Sequence, residues 1–128
     1  MASDLFDKGL VIRKEWLGEE YVNKSINGAD EFALTMQEFA TEMAWGKIWT
    51  RPGLPRKTRS LLNIGLLTAL NRQHELKLHI RSALKNGITK DEIKEVLLQV
   101  AAYAGVPAGI DGFRLAREAF AEMEAAKK

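Results

Sequence analysis

An all-α fold, a compact helical domain of about six helices, is the architecture these 128 residues predict. Three observations predict it. Apolar residues recur at three-to-four spacing in nearly every segment. No run alternates with the period of two that marks a half-buried strand. Helix-start and helix-stop residues punctuate the chain at intervals of a few turns.

Ser3 or Asp4 can cap a first amphipathic helix through about Trp16, and Gly18 interrupts it ahead of a short turn over residues 19–25. Asn27-Gly28 is a loop signal. Asp30 can cap a second helix carrying Phe32, Met36, Phe39, Ala40 and Met43 at helical spacing, a stripe expected in the core. The stretch RPGLPRK, residues 51–57, holds two of the three prolines. It is the sharpest internal punctuation and a rigid connection, because proline disfavours a helical residue before it. SLLNIGLLTAL, residues 60–70, is apolar nearly all round, so it is expected as a central helix or one covered by another subunit. A break near Asn71 precedes RQHELKLHIRSA, residues 72–83, whose helix stops at Asn86-Gly87. Thr89 and Glu92 fit a capping box for a helix through about Ala104. Gly105 and Pro107 end it, and a last helix runs from about Ala108 into the lysine tail.

A single domain over residues 1–128 is large enough to bury a core without disulfides or a structural metal. Nineteen Lys and Arg against seventeen Asp and Glu leave a net charge of +2 with the signs interleaved, which argues against a nucleic-acid partner. A helix-turn-helix reading of residues 89–110 fails on its second helix, where Pro107, Ala108, Gly109 and Ile110 suit neither bases nor phosphates. With no cysteine, disulfides, thiolate catalysis and Cys-based zinc sites are excluded. No apolar run at the N-terminus resembles a signal peptide, and none elsewhere reaches a membrane span, so the cytoplasm is the expected location.

Both histidines lie in residues 72–83. Glu75 and His79, four apart, sit one turn above each other on one helix face. Spacing alone is satisfied by an ordinary surface pair worth about 0.3–0.5 kcal/mol. His74 and His79, five apart, diverge by about 140° around the helix and cannot easily share a metal. No metal site is expected. Trp45, Trp49 and Arg51 lead into the proline turn, where they can pack a helix end or wall a pocket for a flat anion; both readings stay open. Arg56, Lys57 and Arg59 put cations at a helix start against the macrodipole, a conflict a bound anion would relieve. A purely structural helical oligomer is the non-enzyme alternative.

The segments LFDKGL, IRKEWLGEEYV, WGKIWTRPGL, RKTRSLLNIGLLTALNR, HELKLHIRSALKNG, EIKEVLLQVAAYAGVPA and FRLAREAF together resemble the carboxymuconolactone decarboxylase family over nearly the whole chain. The wider alkylhydroperoxidase-like superfamily includes thiol peroxidases with a Cys-x-x-Cys-x-x-x-His helix. The matching positions here are Arg72, Glu75 and His79, so the histidine stays and both thiols are gone. The resemblance implies an alkylhydroperoxidase-like all-α fold without peroxidase activity. It also implies a homohexamer with active sites near subunit contacts, and a site at Glu75 and His79.

The resemblance further implies cofactor-independent decarboxylation of a lactone dicarboxylate, 4-carboxymuconolactone, to 3-oxoadipate enol-lactone and CO2. The substrate is its own electron sink: loss of CO2 pushes electrons through the ring double bond onto the lactone carbonyl. Such a step needs a donor at that oxygen, cations for a dianion and a proton source. On this reading His79 is donor and proton carrier, and Glu75 orients the imidazole and favours its charged form. Arg72 and Arg51 are first choices for the carboxylates, Arg59 a weaker one, and Trp45 and Trp49 shape an apolar wall. A related lactone remains the alternative substrate.

Overall fold

The computed structural model describes residues 3–127, and among them every regular element is helical. The chain gathers into two compact units that divide between Pro55 and Arg56, within the proline-bracketed stretch.

The first unit contains α1 (Asp4–Leu17), α2 (Glu19–Asn27), α3 (Glu31–Ala40) and a π-helical segment (Thr41–Ile48) that continues α3 without a break. Ser3 caps α1 by accepting from the Phe6 N–H at 3.0 Å, and Asp30 caps α3 by accepting from Ala33 at 2.8 Å. Gly18, at φ 100°, ends α1 and begins α2, so residues 19–25, expected as a turn, are helical. Glu19 and Glu20 in that first turn suit the positive end of a helix dipole. The sequence gives no sign of the π turn, in which the Trp49 N–H reaches back five residues to Ala44.

α1 packs along the π segment through Gly9 and Gly46. A Cβ on Gly9 would stand 2.2 Å from the Thr41 carbonyl oxygen, and one on Gly46 would stand 2.3 Å from that of Leu5. The buried side of α1 is Gly9, Ile12, Arg13, Trp16 and Leu17, a three-to-four stripe with an arginine inside it. Arg13 donates from Nη1 to the buried Thr41 hydroxyl at 2.9 Å.

The α3 stripe expected in the core is exposed. Phe32 is 91% accessible, Met36 and Phe39 are more than half accessible, and no residue of α3 is buried. Helical periodicity reports that a face is apolar; whether this chain covers it depends on where the other helices lie.

The second unit packs α4 (Arg56–Ala69), α5 (Gln73–Lys85), α6 (Lys90–Ala104) and α7 (Val106–Ala126) together. α4 touches all three of the others. Its buried face is Ser60, Ile64 and Thr68, while Leu62, Leu66 and Leu70 stay exposed, so residues 60–70 are central on one side only. Asn71 takes φ 58°, the left-handed conformation that asparagine tolerates, and turns the chain into α5. The capping box forms: Thr89 Oγ1 accepts from Glu92 N–H and the Glu92 carboxylate accepts from Thr89 N–H, both at 3.0 Å. α7 begins at Val106, two residues ahead of the expected start, with Pro107 in the first turn where its missing N–H costs nothing. Among the described residues the helices number seven plus the π segment, and α2 is the main element not foreseen.

Candidate active site

The second unit places Arg59, Arg72, Glu75 and His79. Arg72 is the N-cap of α5 and is exposed, Glu75 lies exposed in the first turn, and His79 follows one turn on. At 100° per residue the three positions fall within about 60° of one another around the helix axis. Leu76, Ile80 and Ala83 form the fully buried side of the same helix. His79 lies at the margin between that side and the charged one, partly accessible but with Nδ1 shielded from solvent. α4, which packs on α5, carries Arg59 half-buried near its start. Of the other cations there, Lys57 pairs with Glu92 of α6 at 3.1 Å, which offsets part of the conflict with the α4 dipole.

Burial lowers the His79 pKa from 6.5 to about 4, against an opposing pull from the Glu75 charge. Glu75 favours the charged form as expected, yet burial, which desolvates the cation, leaves His79 neutral at pH 7. A consequence for stability follows from the sign. The unfolded chain binds a proton at His79 near pH 6.5 and the folded chain only near pH 4, so acid favours unfolding. Stability should fall between those two values by on the order of 3 kcal/mol from this group. Denaturant titrations across that range should show a shallower pH slope for His79→Gln than for the parent; equal slopes would contradict a buried neutral imidazole.

Trp45, Trp49 and Arg51 belong to the first unit. Trp45 and Trp49 are buried and stack with centroids 4.5 Å apart and planes at 25°. Trp16 of α1 completes the group, 5.4 Å from Trp49 and tilted by 47°. The π segment sets this arrangement, since Trp45 lies inside it and Trp49 closes its last turn. Sequence reasoning missed Trp16, although its place in the α1 apolar stripe was visible. Arg51 is exposed, its backbone N–H bonded to the Ile48 carbonyl at 3.0 Å.

His74 is exposed, on a groove of about 350 Å³ whose charges are matched among themselves. Lys77 pairs with Glu118 and Glu122, Arg81 with Glu122 at 2.9 Å, and Arg114 with Glu118 at 2.7 Å. Among the described residues no group of three His, Cys, Asp or Glu could hold a metal ion, and no helix is long and apolar enough to cross a membrane.

The 4-carboxymuconolactone decarboxylase of Acinetobacter baylyi is 45% identical over 118 residues, covering 92% of this chain and 88% of that protein. The nitrosuccinic acid decarboxylase of Metarhizium robertsii is 44% identical over 119 residues, covering 93% of this chain and 83% of that protein. The pattern of the carboxymuconolactone decarboxylase family matches residues 35–118, which takes in the π segment, both stacked tryptophans and the whole of α5. On this breadth of likeness the chain belongs to the carboxymuconolactone decarboxylase family.

Proposed function

We propose that this protein is a carboxy-lyase that converts 4-carboxymuconolactone to 3-oxoadipate enol-lactone and CO2 in protocatechuate breakdown. The observation that carries the reading is the 45% identity to a 4-carboxymuconolactone decarboxylase over 92% of this chain. His79 is the donor to the lactone carbonyl oxygen. Neutral at pH 7, it meets the substrate as an uncharged donor, so its interaction strengthens as the dienolate forms. An anion beside a buried imidazole also raises its basicity, which makes His79 the carrier of the solvent proton that ends on the ring carbon next to the carbonyl. Glu75 orients the ring. Arg72 and Arg51 are assigned to the substrate carboxylates with Arg59 as a weaker candidate, and Trp45 and Trp49 to its apolar contacts.

No cofactor is required in this scheme, because the ring and its carbonyl accept the electron pair. The test is CO2 release with enol-lactone formation from 4-carboxymuconolactone, before and after dialysis against EDTA. Turnover should survive. Activity lost to the chelator and restored by zinc or iron would overturn the mechanism. A second reading, decarboxylation of a nitro-substituted dicarboxylic acid, is favoured by the nearly equal 44% identity to nitrosuccinic acid decarboxylase. Turnover of nitrosuccinate and not of the lactone would decide for it.

The active form is a closed homo-oligomer, a hexamer. Supporting it are the uncovered stripe of Phe32, Met36 and Phe39 and the exposed Leu62, Leu66 and Leu70, more apolar surface than a small monomer ordinarily leaves open. Phe32→Asp with Phe39→Asp should reduce the sedimenting mass at micromolar protein while each chain stays helical. Unchanged mass would remove this stripe from the interface.

A further inference from the structure

Arg13 is a cation in a place built for an apolar side chain. It lies within the buried stripe of α1 and is only 7% exposed. Among the described residues no carboxylate pairs with it. Its hydrogen bond goes to a neutral acceptor, Thr41 Oγ1, at 2.9 Å, and its Nε is buried with no acceptor. The Thr41 hydroxyl is itself fixed, donating to the Gln37 carbonyl at 2.7 Å, so its lone pairs face the guanidinium. Tyr21 of α2 is the titratable group whose field the guanidinium feels, while burial pushes the Arg13 pKa down. Arginine does not shed its proton in response.

Tryptophans follow both partners of this hydrogen bond along their helices. Trp16 follows Arg13 by one turn on α1, Trp45 follows Thr41 by one turn of the π segment, and both stand against Trp49. A buried guanidinium without a counter-charge costs several kcal/mol, which well-packed apolar residues avoid. A tether for Thr41 would need only a neutral donor. The forked donors of arginine instead match a carboxylate with two parallel hydrogen bonds, strengthened in a poorly solvated setting.

We propose that Arg13 is a further substrate-binding residue, which holds the carboxylate that stays on the product. The assignment rests on the decarboxylase reading for the identity of the acid. The departing carboxylate is the wrong partner, since an ion pair there would stabilise the ground state against loss of CO2.

The experiment compares the full-length parent with Arg13→Met and Arg13→Lys by three readouts. These are thermal unfolding, tryptophan fluorescence titrated with glutarate as a non-reacting dicarboxylate, and the steady-state KM and kcat. Glutarate should change the fluorescence of the parent and raise its unfolding temperature. Arg13→Met should be at least as stable as the parent, because an unpaired buried charge has been removed. It should lose both glutarate responses, with KM raised about 100-fold, the size of a lost charged contact. Arg13→Lys should fall between, at about 10-fold, for want of the fork. Arg13→Met that is less stable yet keeps its KM and glutarate response would make Arg13 a tether of the π segment and overturn the proposal. Should Arg13→Met fail to fold, an unchanged KM in Arg13→Lys overturns it equally. Glutarate binding that depends on Arg13 in a protein inactive on the lactone would leave this site standing and sink the decarboxylase reading alone. A parent with no glutarate response and no lactone turnover would sink both.

Discussion

His79→Ala is expected to lower the rate of CO2 release by about 10²–10³-fold, the size of effect seen when a donor to a developing oxyanion is deleted. The expectation is large because His79 combines a shielded imidazole, a pKa lowered to about 4 by burial, and a charged neighbour one turn away. Glu75→Gln should cost less, since an amide can still orient the ring. His74→Ala, on the same helix but exposed in a groove whose ion pairs do not need it, should be nearly silent. All three variants should keep the helicity and assembled mass of the parent, which separates chemistry from folding. Equal rates for His79→Ala and His74→Ala would return α5 to the role of a structural helix.

Gly9→Ala is expected to destabilise the fold by about 3 kcal/mol, at the upper end of what one inserted carbon does in a packed interior. Its Cβ would meet the Thr41 carbonyl oxygen at 2.2 Å and the Gly46 nitrogen at 2.6 Å, backbone atoms that cannot rotate away as a side chain would. The same displacement would reach Trp45, Trp49 and the Thr41 contact of Arg13, because all of them hang on the π segment. Gly53→Ala is the control, since nothing lies within 4 Å of its added carbon. Denaturant unfolding should separate the two variants clearly, and similar midpoints would mean that α1 and the π segment are not as closely fitted as the glycines indicate.

The elements legible in the sequence are those whose causes are local. Ser3, Asp30 and the Thr89–Glu92 pair cap the helices they were expected to cap, because each satisfies backbone donors within one turn of itself. Asn71 and the proline-bracketed residues 51–57 were legible for the same reason: they restrict their own dihedrals wherever the chain goes. The one-turn spacing of Glu75 and His79 also follows from helix geometry alone. Residues 19–25, expected as a turn, are helical because Gly18 breaks one helix and at once starts another, and the break dominates the local signal.

The tertiary structure alone decided which apolar faces are covered, what charge His79 carries and where α1 meets the π segment. Phe32 and Leu76 both occupy apolar helical stripes, yet one is 91% accessible and the other 1%, because burial depends on neighbours distant in sequence. Glu75 acts on His79 across one turn, a local effect with the sign expected from their spacing, but desolvation sums over every group packed around the ring and exceeds it. Arg13 was not singled out in the sequence, and that no carboxylate among the described residues pairs with it depends on which side chains α2 and the π segment bring to it. Helical period and capping are properties of a few adjacent residues; desolvation and the presence of a counter-charge are properties of the surrounding volume, which a sequence describes only after it has folded.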